Sequence, residues 1–409
     1  MFSAGDTAFM LVCTALVFIM TPGLALFYGG LGRRKNMVNN MMNSGFIIGL
    51  AIVMYFFVGY SLSFGQGGND FIGSFKNLCL LGVTKDSVTD SIPTFAFVAF
   101  QMAFTIITPA IITGSIAGRM RFNALFFFIT LWSLIVYYPL AHMVWGGGLI
   151  GGKVGALDFA GGDVVHISSG TTGLIIAILI GKRVDYLQTS YRIHNVPFVF
   201  LGTAILLFGW FGFNSGSALG ANSLAAHAFM TTAIAGASGM LVWMLLDVIK
   251  QGKVTLIGAC TGVIAGLVGI TPAAGFVDMW AAFIIGITVS PVCYGGISLI
   301  KKVFKIDDAL DAFGCHGIGG IWGGILTGVF CNPMINGGKA GLIYGKTFQF
   351  FAQIEGILIT FAIVISGTLF CVSIVKCFMP LRVDIREELV GLDLSEHGES
   401  AYPSFNGLD

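Results

Sequence analysis

The sequence predicts an all-α membrane protein of eleven transmembrane helices, and three observations predict it. Hydrophobic residues make up 56% of the 409 positions and charged residues 10%, too little polar material to cover a soluble globule of that size. Apolar stretches of about 20 residues, the length that crosses a bilayer, recur from one end of the chain to the other. Lys and Arg fall unevenly on the connections between those stretches, as they do in a multi-pass protein that obeys the positive-inside rule. The formal charge of +1 says nothing about partners as a total, and no nucleic acid is expected as one.

Taken in order, the spans are read at Thr7–Leu31, Asn39–Phe64, Pro93–Gly118, Ala124–Gly148, Val164–Gly181, Val196–Gly216, Ala225–Leu246, Val254–Ile270, Phe276–Ile300, Ala312–Cys331 and Ile354–Phe378. The first has the length of a signal peptide but lacks a positive leading region, since Arg33 is the first basic residue, and it is kept as a span. Sixteen of the 21 Lys and Arg residues, among them Arg33, Arg119, Arg183, Arg192, Lys301 and Arg382, then fall on one side. Lys76, Lys85, Lys153, Lys339 and Lys346 fall on the other. This places the N-terminus outside and the C-terminus in the cytoplasm of a cell whose inner (cytoplasmic) membrane holds the protein. Spans one to five (about 7–181) and six to ten (about 196–331) form two halves entering from opposite sides. That is an inverted repeat, with the site expected at the interface between its halves. The eleventh helix (about 354–378) completes a membrane domain over 1–378, and 379–409 is a polar cytoplasmic tail.

Much of the Gly, 58 residues in all, sits in pairs or small-residue runs within apolar segments, as where helices pack backbone to backbone. The eight Cys show no CxxC or Cys/His spacing and read as small buried hydrophobes.

Two stretches carry chemistry. Asp158-Phe159-Ala160-Gly161-Gly162-Asp163-Val164-Val165-His166 leads into the fifth span, and Phe313-Gly314-Cys315-His316-Gly317-Ile318-Gly319-Gly320 carries a second His 150 residues later. Ionisable groups at membrane depth are costly and usually face a pathway. One His in a span is often a satisfied core group; two in corresponding spans of opposed repeats favour a pathway. Metal binding lacks company, because His142 and His227 belong towards the outer face, and neither a metal nor a cofactor is expected. Asp158 beside a Gly pair reads as a helix cap accepting backbone N–H groups. Trp145 reads either as an interfacial anchor or as a cation-attracting ring.

Longer motifs extend these signals: Thr21-Pro22-Gly23-Leu24-Ala25-Leu26-Phe27-Tyr28-Gly29-Gly30, His142–Gly148, Trp210–Ser217, Gly258–Gly275 and Asp307–Gly324. With them the chain resembles the ammonium transporter/methylammonium permease/Rhesus family, on its bacterial ammonium transporter side, from Thr7 to about Tyr402. The resemblance implies uptake of ammonium, with methylammonium as analogue. It implies a recruiting vestibule of Trp145, Ser217 and Phe104 with the Ala160 carbonyl nearby, and a gate of Phe104 over Phe213. Below the gate it implies an apolar pore lined by a hydrogen-bonded His166 and His316, with Asp158 also taking part in the proton step. It implies a homotrimer in the lipid bilayer, PII-type signalling proteins at the cytoplasmic exits, and a regulatory tail matching Leu381–Asp393. One departure stands out: Gly118 replaces an acidic residue of relatives, which puts a cytoplasmic ion pair and tail docking in question. Asp163, where relatives more often have a small polar residue, is given no role.

Magnitudes favour crossing as the neutral amine. A bare cation in a dry pore costs tens of kcal/mol, roughly, on a Born estimate. Removing a proton from an amine with a lysine-like pKa of ~10.4 costs about 5 kcal/mol at pH 7, at ~1.36 per unit. The proton then returns to the bath or crosses separately along the His pair; the second is the reading preferred here. An ammonium sensor, a membrane enzyme using the His pair, and a Rhesus-type gas channel are the rival functions. No nucleophile accompanies the His pair, so the chain is not read as an enzyme.

Overall fold

The computed structural model describes residues 2–188 and 193–403; Arg192 and the last six tail residues lie outside them. Among the described residues ten helices are long and apolar enough to cross a membrane: α1 Ala4–Leu31, α2 Arg34–Phe64, α3 Thr94–Ile116, α4 Phe122–Val154, α5 Gly162–Ile180, α6 Val196–Gly216, α7 Ser223–Gln251, α9 Met279–Val303, α10 Phe313–Phe330 and α11 Phe348–Phe378. Between α7 and α9 lies the shorter apolar α8, Leu256–Ile270. Large apolar side chains such as Leu11, Phe57, Phe208, Leu241, Phe283 and Phe370 stand exposed around the bundle, as lipid requires of an all-helical protein.

Local chemistry explains the ends of α8. Thr255 caps it by accepting the Gly258 N–H at 2.9 Å, and the Thr255 hydroxyl in turn donates to Asp247 at 2.6 Å. Pro272 follows Ile270 closely and has no N–H to donate back into the helix. The chain from Thr271 to Gly275 therefore continues as buried turns, and the Pro272 carbonyl accepts the Phe159 N–H at 3.1 Å. At the other extreme, α11 starts at Phe348, six residues before the expected Ile354. Gln349 and Gln353 look too polar for lipid, but they turn inwards. Their amides donate to the Gly155 carbonyl at 3.0 Å and the Leu157 carbonyl at 2.8 Å.

Several helices contain wide π-turns, and two of these, Gly162–Ile167 and Phe313–Gly317, carry His166 and His316. Beside the two imidazoles α5 and α10 meet at backbone distance, because a Cβ on Gly170 would lie 2.4 Å from the nitrogen of Gly317, the residue after His316. Any side chain at Gly170 would push apart the helices that bring the two imidazoles together.

After α11 the tail folds back onto its own chain as two short helices, α12 Ile385–Val390 and α13 Leu392–His397. The Val383 N–H donates to the Arg119 carbonyl at 3.1 Å, and Arg382 pairs with Glu388 at 2.7 Å. The other Glu388 oxygen accepts the Val184 N–H at 2.8 Å. Lys35 donates to the Glu388 and Leu389 carbonyls at the end of α12. Nearby Arg183 grips Asp307 through a 2.5 Å ion pair. Burial alone would push the Asp307 carboxyl up, but Arg183 and Arg119 outweigh it and hold the group below the usual carboxylate range.

Gly118 finds its reason in this tail contact. Its φ is +78°, a region that costs an L side chain roughly 1–2 kcal/mol, and an added Cβ would sit 2.6 Å from Asn36 Nδ2. The Asn36 side chain accepts the Leu392 N–H at 2.9 Å, so the tail docks without an acidic group at 118. Gly118→Ala is expected to lower stability by about 1–2 kcal/mol and to loosen the tail. Thermal unfolding in detergent and limited proteolysis of 379–403 check this; an unchanged melt with a protected tail would contradict it.

Candidate functional site

Three cavities line up between α1, α3, α5, α6 and α10. Phe104, Trp145 and Ser217 lie together on the first, a basin of about 280 Å³ on the face opposite the tail. The Phe104 ring meets the indole edge-on at 5.8 Å and 84°, and the Trp145 N–H is fixed by the Asp158 carbonyl at 2.9 Å. Ser217 donates its hydroxyl proton to the Phe213 carbonyl at 2.9 Å, which leaves its lone pairs facing the basin. Below, Phe104 and Phe213 lie against each other with centroids 4.3 Å apart and planes tilted by 31°, closing the floor, both only 1% exposed.

Beyond the ring pair is a second cavity of about 20 Å³, walled by apolar residues such as Leu24, Ile107 and Leu206 around His166 and His316. That volume holds about one water-sized molecule. The two Nδ1 atoms are 3.2 Å apart. A hydrogen bond between them needs one as donor and the other as acceptor, so the rings carry opposite tautomers. The His166 ring also stacks on Trp210 at 5.4 Å, and its Nε2 is buried with no hydrogen-bond partner among the described residues. A buried polar atom left open within a tight channel is an invitation to a passing hydrogen-bonding solute. His316 also borders the third cavity, about 290 Å³ on the tail side, which is bounded by Arg183, Lys301 and Asp311.

Two expected site residues stand apart from this line. Ala160 is fully buried and does not line the basin. Asp158 spends its carboxylate on four backbone N–H groups, those of Gly161, Gly162, Asp163 and Val164 at 2.6 to 3.3 Å, which makes it the cap of α5. Asp163 is buried, with one carboxyl oxygen unpartnered.

One residue escaped the sequence reading. Asp308 caps the second His-bearing segment through the Ala312, Phe313 and Gly314 N–H groups and receives the Ser115 hydroxyl at 2.7 Å. A signal for it was present: Asp158 precedes His166, and Asp308 precedes His316, by the same eight residues.

Comparison with known proteins fits this line of cavities. The model of the Ammonium Transporter Family matches residues 8–402. The ammonium transporter of Bacillus subtilis (strain 168) is 50% identical over 401 residues, covering 97% of this chain and 98% of the relative. Among solved structures, Saccharomyces cerevisiae Mep2 superposes with a TM-score of 0.90 at 36% identity, over 99% of this chain and 93% of that one. A structure described as a sensor Amt protein gives 0.88 at 28% identity, over 96% and 98%. With a match from one end to the other, the chain is a multi-pass protein of the cell membrane and belongs to the ammonium transporter family.

Proposed function

We propose that the protein takes up ammonium by binding the cation in the 280 Å³ basin, removing its proton, and passing ammonia through the 20 Å³ constriction. The observation that carries this reading is the His166–His316 hydrogen bond inside an apolar constriction between two wider cavities. In that constriction a bare cation finds no counter-charge, whereas ammonia finds the open His166 Nε2. The indole of Trp145 and the Ser217 lone pairs offer the cation what an anchor for a neutral gas does not need. The proton crosses separately along the His pair, since opposite tautomers at Nδ1 let a proton enter one ring as another leaves its partner. Asp158 acts as a structural cap whose charge also favours cations nearby, and Ala160 acts through its backbone.

In this reading α8 serves as a full span together with the turns after it, giving eleven spans with the N-terminus outside and the tail in the cytoplasm. Repeats one and two occupy about 7–181 and 196–331, and α11 completes the membrane domain. Three copies assemble in the bilayer, and the tail side, with its basic rim, receives a PII-type protein. Likeness to a sensor Amt protein favours sensing as the second reading.

Reconstituted protein on a solid-supported membrane tests the first. Ammonium jumps should evoke current and potassium jumps none. Absence of an ammonium current, together with no methylammonium uptake in cells lacking other carriers, would overturn transport in favour of sensing.

A further inference from the structure

The basin that receives the cation has nine lining side chains, and among them only Gln101 and Ser217 can accept a conventional hydrogen bond. No charged residue lines it. Ammonium carries four N–H donors and leaves water to enter, so its affinity depends on how many neutral acceptors replace that water. Ser217 supplies one, and the Trp145 face supplies a quadrupole but no lone pair. Gln101 sits on the same strip of α3 as Phe97 and Phe104, at i, i+4 and i+7, so the helix that supplies the gate ring also aims this amide into the basin. Among the described residues no hydrogen bond engages that amide. Its carbonyl oxygen is therefore unspent, unlike that of Gln353, which accepts from the Leu157 N–H and the Gln349 amide.

We infer that Gln101 is a further substrate ligand, accepting an ammonium N–H across the basin from Ser217. The inference rests on the transport reading above. Gln101 binds the cation before its proton is lost and takes no part in conduction below the ring pair. Its removal should change the concentration at which transport saturates and leave the maximal rate alone. Gln101→Leu keeps the size and removes the acceptor; Gln101→Glu keeps the acceptor and adds charge.

The test is the concentration dependence of ammonium-evoked current in proteoliposomes of wild type and both variants. For Gln101→Leu, KM should rise roughly five- to tenfold, as expected for one lost hydrogen bond to a charged group in a partly hydrated site, with the maximal current within about twofold. Gln101→Glu should restore or lower KM. A Gln101→Leu KM equal to wild type, a fall in maximal current at constant KM, or a Gln101→Glu variant as weak as Gln101→Leu would overturn the assignment while the wild-type current upholds transport. A wild type without current would instead overturn the transport reading, and this ligand with it.

Discussion

The double variant His166→Ala/His316→Ala is expected to lose about 10- to 100-fold of the ammonium-evoked current while the protein remains folded. Each imidazole borders the constriction, and Trp210, which also lines it, spends its N–H on the Thr271 hydroxyl at 2.9 Å. A neutral solute that gives up water there without a partner pays about 1–3 kcal/mol, which is the stated range of rates. Truncation also widens a 20 Å³ space to one that admits water and ions. The ammonium current that remains should therefore be unselective, matched by a potassium current of similar size. Solid-supported-membrane recordings with both cations check the pair of outcomes. A double variant that retains both wild-type current and wild-type selectivity would show that the imidazoles are packing groups.

Asp158→Ala is expected to be the most damaging single change to the fold. It leaves four backbone N–H groups at the start of α5 without acceptors, in a place that lipid and packed side chains keep from water. An unsatisfied group there costs several kcal/mol, more than a typical domain's margin once two or three are counted. The expected outcome is little folded protein, seen as aggregation on size exclusion and a melt lowered by well over 10 °C in whatever survives. Asp158→Asn keeps an acceptor oxygen and should fall between. If Asp158→Ala folds like wild type and loses only transport, the carboxylate belongs to the pathway instead of the cap. Asp308→Ala should show the same defect more mildly, since its carboxylate takes three N–H groups and one hydroxyl.

Much of this arrangement was legible because lipid leaves few options. Apolar length placed the helix ends to within six residues, and costly ionisable groups at depth pointed to His166 and His316 before any contact was known. The ring pair was a different matter. Nothing in the local sequence separates Phe104 and Phe213 from the other 35 phenylalanines, and only the long motifs picked them out. The early start of α11 was hidden because the acceptors for Gln349 and Gln353 lie on a connection nearly 200 residues away. At Gly118 the sequence points to a missing charge, whereas the backbone angle shows a position that favours glycine. Asp308 was overlooked although its spacing repeats that of Asp158.

The wide turns at 162–167 and 313–317 give the chain two places where its count is off by one relative to an ordinary helix. Each has already absorbed its one extra residue, so a further insertion inside either would have no slack left to take it up and would swing everything after it by about 100°. Thr172, whose hydroxyl now meets the Trp132 indole at 2.9 Å, would be carried round towards a different neighbour. Insertions at these two points should thus be far less forgivable than in the exposed loop at 337–339, where added length projects into solvent.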